Sequence, residues 1–248
     1  MTKVIINGAK GKMGQAACEA IKNDPTLHLV AAIDKSDNLE TEIKKNKPDV
    51  VVDLTHPDSV FNNVSTILKL NCHAVVGTTG LTKDQLEQCN RLAASNNKSA
   101  IICPNFAISA ILMMKFAQQA AEFMNRCEII EYHHDKKADA PSGTAIKSAE
   151  LIAEANSEIN SETYQEQHII EGSRGGKKHN IPIHAIRLPG VVANQEIIFG
   201  AQGQTLTLRH DTISREAFMP GLILAIKATK TISGLVYGLE SIMFNEES

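Results

Sequence analysis

The sequence contains no pair of cysteines at the spacing that zinc sites or small disulfide frameworks use. Its cysteines are odd in number and scattered along the chain; the five are Cys18, Cys72, Cys89, Cys103 and Cys127. No two of them form a C-x-x-C pair. The pattern argues against a disulfide-stapled fold and against a zinc site, and it favours a protein kept in a reducing compartment.

The chain also lacks an excess of basic charge, a long apolar run and a recognisable leader. Lysine plus arginine number 25 against 28 aspartate plus glutamate, a net charge of -3, which is unlike the basic footprint of nucleic-acid binding. The longest apolar stretch, 100–114, is interrupted by Pro104, Asn105 and Ser109 and is too short to span a bilayer. The first residues show no signal peptide. We therefore expect a cytoplasmic protein whose partners include neither nucleic acid nor membrane.

The first hundred residues alternate short β-branched runs with helical patterns, which is typical of a parallel sheet with right-handed crossovers. At 248 residues and 43% hydrophobic, the chain can bury one large core or two small ones. The sequence predicts an α/β fold with a Rossmann-like domain over 1–104, completed by 214–248. The predicted strands are 4–6, 27–33, 50–54, 74–76 and 100–102.

A second domain is predicted over 105–213, because the pattern changes after the fifth strand. An apolar helix over 108–124 is followed by a strand over 127–132, a helix over 144–155, and strands over 181–188, 195–199 and 205–210. This predicts an α+β domain with an open mixed sheet. The basic stretch 172–178 is interpreted as a mobile loop, either a solvated connection or a binding element. Residues 214–230 return to helical periodicity.

A glycine-rich turn follows the first predicted strand and precedes a helix, which is the context of a dinucleotide phosphate site. The turn reads G-x-x-G-x-x-G and comprises Gly8, Ala9, Lys10, Gly11, Lys12, Met13 and Gly14. Glycines let the backbone approach a pyrophosphate, and the helix N-terminus favours its charge. Asp34 ends the second strand, where a carboxylate would hold the ribose hydroxyls. Lys35 is either a partner for the 2'-phosphate of NADP or an ordinary surface lysine.

Two further segments end parallel strands and should border the nicotinamide half of the cofactor. Gly77, Thr78, Thr79 and Gly80 follow the fourth strand, and Cys103, Pro104, Asn105 and Phe106 follow the fifth.

The densest polar segment of the chain is 131–145, which reads EYHHDKKADAPSGTA. Two His, two Lys and two Asp within residues 133–139 would be costly to bury unpaired, so they face either solvent or a ligand. The stretch 141–144 then begins a helix whose free N–H groups suit a carboxylate. Consecutive side chains on a strand point to opposite faces, so His133 and His134 are poor candidates for one metal ion.

The segment 131–145 resembles the signature of the dihydrodipicolinate reductases, the nicotinamide-dependent reductases of lysine and diaminopimelate biosynthesis. The resemblance extends to the glycine turn, to 77–80, to 104–106 and to the stretch from His184 to Gly200, and so covers nearly the whole chain. The chain departs from the usual family pattern at 107–110 and at 187–190.

The resemblance implies roles for particular residues. His133 corresponds to the family's catalytic acid/base and Lys137 to its proton donor, while His134, Gly143 and Thr144 correspond to its substrate-binding positions. The family's contacts to NADH or NADPH correspond to the glycine turn, Asp34, 77–79 and 103–106. The resemblance also implies a small dicarboxylate substrate and a homotetramer formed through the sheet of the second domain.

Two other functions are open at this point. One is a semialdehyde-type dehydrogenase with Cys103 as a covalent nucleophile. The other is a non-catalytic dinucleotide sensor, which would leave the His-Lys-Asp segment without a purpose.

Overall fold

The protein is described by a computed structural model that covers residues 1–162, 165 and 167–244. The chain divides into two compact units. The first consists of Met1–Ile108 and the residues from Arg215 onward, and the second is Ser109–Ser214.

A six-stranded sheet in which every neighbouring pair is parallel forms the centre of the first unit. Its strand order is β11-β5-β4-β3-β1-β2. The strands are β1 Thr2–Asn7, β2 Leu27–Ile33, β3 Val50–Asp53, β4 His73–Val76, β5 Ser99–Ile102 and β11 Gly234–Tyr237. β3 to β5 are buried along their whole length apart from one partly buried end, as expected where helices cover both faces of a sheet.

The helices of this unit are α1 Lys12–Asn23, α2 Leu39–Asn46, α3 Pro57–Lys69, α4 Lys83–Ser95, α7 Met219–Ala228 and α8 Glu240–Met243. Several of them begin with recognisable local signals. α3 has proline in its first turn, and α4 begins with a capping box between Thr82 and Gln85. Ile43, Val64, Ile67 and Leu68 bury their side chains against the sheet residues of the same apolar cluster, which fixes the strand ends that carry the candidate site.

The second unit contains a five-stranded mixed sheet of order β10-β9-β6-β8-β7. Its strands are β6 Arg126–His133, β7 Gly176–Lys178, β8 Ile181–Arg187, β9 Ala193–Ala201 and β10 Gln204–Thr212; its helices are α5 Ile108–Ala121 and α6 Gly143–Ala155. Burial alternates along β6 and β9, so one face of the sheet is covered and the other is partly exposed.

The predicted fold class is confirmed, and the structure corrects several elements. The basic stretch 172–178 is not wholly a loop, because Gly176–Lys178 forms β7 and pairs antiparallel with β8. The predicted helix over 214–230 is divided into a short 3-10 turn, Arg215–Phe218, and α7. The apolar helix α5 ends at Ala121, earlier than predicted. β11 was not predicted: it is short and begins with glycine, and pairing with β5 gives it its place.

Candidate active site

The glycine turn between β1 and α1 is tightly packed against neighbouring backbone. A Cβ atom at Gly14 would lie 2.1 Å from the carbonyl oxygen of Gly8, and one at Gly8 would lie 2.5 Å from that of Leu54. Gly8 also has a φ of +91°, a conformation that favours glycine. The amides of Gly8 and Ala9 both donate to the carbonyl of Ile33. The turn therefore has the bare, closely packed backbone that a pyrophosphate site needs.

Asp34 joins this turn to the end of β2. One carboxylate oxygen accepts from the Lys10 amide and the other from the Lys35 amide, each at 2.8 Å. These backbone hydrogen bonds lower the pKa of Asp34, so the carboxylate is anionic at neutral pH. An acceptor-only group at this strand end can receive ribose hydroxyls. The side chain of Lys35 is exposed, and among the described residues it has no hydrogen-bond partner.

Thr78, at the end of β4, belongs to a buried polar network that the sequence did not reveal. Its hydroxyl donates to Asp53, a fully buried carboxylate at the end of β3. Asp53 also accepts from Thr55 and from the side-chain amides of Asn7 and Asn63. Because its partners come from four different segments, no local pattern identifies the network.

The remaining predicted cofactor residues differ in exposure. Thr79 and Pro104 are exposed, while Cys103 and Phe106 are buried. Asn105 accepts a hydrogen bond from the Ala107 amide at 2.8 Å, which fixes the turn after β5. Gly77 packs against Phe106, since an added Cβ would lie 2.8 Å from its ring. The segments 77–79 and 103–106 thus contact each other, next to the strand ends of the same sheet.

In the second unit, His133 ends β6 and contacts Glu131 on the same face of the strand. The distance between His133 Nδ1 and Glu131 Oε2 is 2.6 Å. The His133 side chain is 16% exposed, whereas that of Glu131 is fully buried. Burial lowers the pKa of His133; Glu131 opposes this, while Lys137 and Arg187 add to it.

Arg187, at the end of β8, makes a bidentate ion pair with Glu131. Its two terminal nitrogens lie 2.7 and 2.8 Å from the two carboxylate oxygens. The same guanidinium donates to the carbonyl of Asp139 at 2.8 Å. The Asp139 carboxylate in turn accepts from Lys137 Nζ at 2.7 Å. A continuous chain of polar contacts therefore joins His133 to Lys137.

The start of α6 is held at the same carboxylate. The Ser142 amide donates to Glu131, and the Ser142 hydroxyl caps the helix by accepting from Ala145. The amides of Gly143 and Thr144 keep no acceptor among the described residues, as expected for a first helical turn. Nothing lies within 4 Å of where a Gly143 side chain would be. His134, by contrast, is exposed, and its carbonyl accepts from the Lys137 amide.

Glu131 and Arg187 lie within the segments that resemble the family, but the resemblance implies no role for them. The sequence did carry a signal: Cys127, Ile129 and Glu131 alternate on one face of β6, so a carboxylate falls in an apolar row. A buried carboxylate needs donors, and the alternation therefore predicts partners for it. Which residues supply them depends on the pairing of β6 with β8, which aligns His133 with Arg187.

Over the described residues, no cluster of His, Cys, Asp and Glu has the arrangement of a metal site. The helices of the same residues include none that is long and apolar enough to cross a bilayer.

Two family models match this chain and together span nearly all of it. The model described as "Dihydrodipicolinate reductase, N-terminus" matches residues 2–106, and "Dihydrodipicolinate reductase, C-terminus" matches residues 109–243.

Individual relatives agree with the family models. The 4-hydroxy-tetrahydrodipicolinate reductases of Listeria innocua and Legionella pneumophila strain Corby are each 44% identical to the chain; the alignments cover 97% and 98% of this chain and 99% of each relative. A dipicolinate-bound dihydrodipicolinate reductase from Paenisporosarcina sp. TG-14 superposes with a TM-score of 0.90 at 45% identity, over 98% of this chain and 99% of that one. The chain belongs to the dihydrodipicolinate reductase family and is an NAD(P)H-dependent oxidoreductase.

Proposed function

We propose that His133 and Lys137 carry out the reaction that the family assigns to this chain, the NAD(P)H-dependent reduction of 4-hydroxy-tetrahydrodipicolinate to tetrahydrodipicolinate. This reaction belongs to lysine and diaminopimelate biosynthesis. The assignment of these residues rests on the polar contacts that join His133 to Lys137. The contacts run through Glu131, Arg187 and Asp139. They hold an imidazole, an ammonium group and a helix start within one short segment.

The substrate loses its 4-hydroxyl group as water, and the conjugated ring that results needs a hydride at one carbon and a proton at its neighbour. Reduced nicotinamide supplies the hydride when it is bound. His133 in its imidazolium form donates the proton, and because burial lowers its pKa the imidazolium is a stronger acid than an exposed one. Lys137 supplies a fixed positive charge where electron density builds up on the substrate. Asp139 holds that ammonium group in place.

The amides of Gly143 and Thr144 receive a substrate carboxylate. They lie at the start of a helix of 13 residues, where the helix dipole favours an anion. Open space next to Gly143 supports this role, because a side chain there would occupy it. His134, which is exposed, is assigned to the second carboxylate.

The cofactor is assigned to the first unit. The glycine turn Gly8–Gly14 would hold the pyrophosphate and Asp34 the ribose hydroxyls, with Lys35 near the 2'-phosphate of NADPH. The residues Gly77, Thr78, Thr79, Cys103, Pro104, Asn105 and Phe106 would border the nicotinamide half. The close packing of Gly8 and Gly14 and the anionic Asp34 support the assignment, and we propose that both NADH and NADPH are used.

We further propose a cytoplasmic homotetramer assembled through the partly exposed face of the second sheet. Tyr132, Ile198 and Arg209 lie on that face, with the Arg209 guanidinium 5.6 Å from the centre of the Tyr132 ring. A sheet face carrying aromatic and aliphatic side chains is a suitable surface for association. The cysteines, all five of them free thiols, favour a reducing compartment.

The covalent alternative is disfavoured by the state of Cys103. Its side chain is 1% exposed, and burial raises the pKa of the thiol to about 12. The thiolate is the nucleophilic form of cysteine, and a thiol with so high a pKa is almost entirely protonated at neutral pH. A non-catalytic sensor, for its part, gives no reason for the cluster around Glu131.

The test compares three variants with the unmodified enzyme, using the family substrate and saturating cofactor. His133→Ala and Lys137→Ala should lower kcat by about a hundredfold to ten-thousandfold, because both groups act mainly in the transition state. Thr144→Val removes a hydroxyl from the proposed carboxylate site and should chiefly raise KM, because that site binds the substrate in ground state and transition state alike.

Lys136→Ala is the matched control, since Lys136 is an exposed neighbour of Lys137. Melting temperatures exclude misfolding. A near-normal kcat in folded His133→Ala and Lys137→Ala would refute the catalytic assignment.

A further inference from the structure

The carboxylate of Glu131 is the meeting point of four hydrogen-bond donors in the second unit. Oε1 accepts from Arg187 Nη2 at 2.8 Å and from the Ser142 amide at 3.0 Å. Oε2 accepts from Arg187 Nη1 at 2.7 Å and contacts His133 Nδ1 at 2.6 Å. The side chain is fully buried, so water does not compete for these oxygens.

The ionisation of Glu131 decides which nitrogen of His133 carries hydrogen. Burial by itself would raise the pKa of Glu131, but the hydrogen bonds from Arg187 and His133 outweigh it, and the pKa lies below its usual value. An ionised carboxylate only accepts hydrogen bonds. His133 Nδ1 must therefore carry a hydrogen, both in the neutral ring and in the imidazolium.

We propose that Glu131 is the positioning residue of this site: it holds His133 in the Nδ1–H tautomer and thereby makes Nε2 the nitrogen that exchanges a proton with the substrate. This inference rests on the proposed function, because it specifies how the proposed acid works. When the imidazolium gives its Nε2 proton to the substrate carbon, it leaves a neutral ring that keeps Nδ1–H on Glu131. Solvent then restores the Nε2 proton.

Arg187 contributes to the same task. Its bidentate contact keeps the carboxylate ionised and fixes its plane, and its bond to the Asp139 carbonyl positions the segment that bears Lys137. The Ser142 amide connects the carboxylate to the start of α6. One buried anion thus positions the acid, the helix that would receive the substrate carboxylate and, through Arg187, the lysine.

The tautomer can be measured directly without any substitution. In the ¹⁵N-labelled enzyme, two-bond ¹H–¹⁵N correlations of the His133 ring, recorded above the pKa of His133, distinguish the two neutral forms. We expect a protonated Nδ1 and an unprotonated Nε2. The His133→Ala spectrum assigns the signals. A neutral ring protonated at Nε2 would overturn the proposal, whatever the kinetics of any variant.

Glu131→Gln gives a second, sharper test, because an amide cannot satisfy all four donors. With its NH₂ at the Oε1 position, the amide would face two N–H groups, those of Arg187 and Ser142. With its NH₂ at the Oε2 position, it faces only one N–H of Arg187, and His133 can change tautomer to accept from it. We therefore expect the neutral His133 ring in this variant to carry its hydrogen on Nε2.

The kinetic consequence is a lower rate and a shifted pH profile. We expect kcat to fall by about a hundredfold or more, in line with the loss of the correct tautomer at other catalytic histidines. Three charges act on His133: Glu131 on its own strand, Arg187 on β8 and Lys137 in the segment before α6. Removing the anion leaves two cations, which lowers the pKa of His133. The alkaline limb of the kcat profile, where the imidazolium is lost, should therefore move to lower pH.

Glu128→Gln is the matched control. Glu128 lies on the opposite face of β6 and also contacts an arginine and a histidine, Arg174 and His184. The Glu128→Gln variant should lose a comparable cluster of ion pairs, while the His133 tautomer and the alkaline limb of the kcat profile stay unchanged. Light scattering and melting temperature establish that both variants keep the mass and fold of the unmodified enzyme. If Glu131→Gln does not fold, the spectrum of the unmodified enzyme still decides.

The two proposals fail in different ways. An Nδ1–H ring together with a near-normal kcat in His133→Ala would refute the proposed function and leave the positioning of His133 intact. A large loss of kcat in His133→Ala together with an Nε2–H ring, or with an unshifted alkaline limb in Glu131→Gln, would refute the positioning role and leave the proposed function intact.

Discussion

The hydroxyl of Thr78 donates to the Asp53 carboxylate at 2.8 Å and accepts from the Thr55 amide at the same distance. The only hydroxyl hydrogen of Thr78 is therefore used in a hydrogen bond within the first unit. Thr78→Val should therefore deprive a buried carboxylate of one donor and a backbone amide of its acceptor, at a cost of about 1–3 kcal/mol in unfolding free energy. Thr78→Ser keeps the hydroxyl and should stay close to the unmodified protein. Equal denaturant midpoints for the two variants would contradict this.

The glycine turn offers a pair of substitutions that differ only in the space available. A Cβ at Gly14 would lie 2.1 Å from the Gly8 carbonyl oxygen, whereas one at Gly11 would lie 3.3 Å from the same atom. Gly14→Ala must displace the turn and should weaken NADH binding by at least about tenfold, or about 1.4 kcal/mol. Gly11→Ala should bind NADH more nearly as the unmodified enzyme does. Fluorescence titration with NADH measures both, and similar dissociation constants for the two would refute the assignment of the turn.

Cys103 should be dispensable for the chemistry. It is buried, and its raised pKa of about 12 keeps it as a thiol. Cys103→Ser places a hydroxyl in an apolar setting and should cost some stability, about 1–3 kcal/mol, but it should retain most of kcat. A loss of about a thousandfold in a folded variant would instead support the covalent alternative.

Lys35 should distinguish the two cofactors. It follows Asp34 at the end of β2, where the 2'-phosphate of NADPH would lie. Lys35→Ala should raise KM for NADPH several-fold and leave KM for NADH nearly unchanged, because only NADPH carries that phosphate. Lys69→Ala is the control. This exposed lysine ends α3 and lies near the amino end of β4, whereas Lys35 follows the carboxyl end of β2. An unchanged KM for NADPH in Lys35→Ala would mean that the lysine is a bystander.

Light scattering at micromolar concentration should give the mass of four chains of 26.9 kDa. Ile198→Lys places a charge on the partly exposed face of the second sheet and should lower that mass, because an unpaired charge at an interface is costly. Ile213→Lys, at a residue that is 88% exposed and outside the sheet, should leave the mass unchanged. A monomeric mass for the unmodified protein would refute the tetramer.

The elements that the sequence predicted best are those fixed by local chemistry. Strands β1 to β5 contain short apolar runs, of which those in β3 to β5 are almost wholly buried. The glycine turn needs small residues because its own backbone folds back on itself. The start of α6 was predicted from the Pro-Ser-Gly-Thr stretch, and Ser142 does cap that helix. β7 and β11 lack the continuous apolar run of β3 to β5, because Gly176–Lys178 is basic and Gly234–Tyr237 begins with glycine, so only pairing with β8 and β5 identifies them as strands.

The candidate site also has features that follow from local sequence and features that depend on tertiary contacts. By itself the sequence determined which short segments are candidates for the chemistry, since the charges of 133–139 and the free amides after Pro141 are local facts. Only the tertiary structure decided which charges meet. Arg187 reaches Glu131 across 56 residues, and Asp53 gathers donors that lie up to 46 residues away, because strand pairing brings distant residues side by side. A buried carboxylate needs hydrogen-bond donors, and the pairing of strands in the sheet determines which residues supply them.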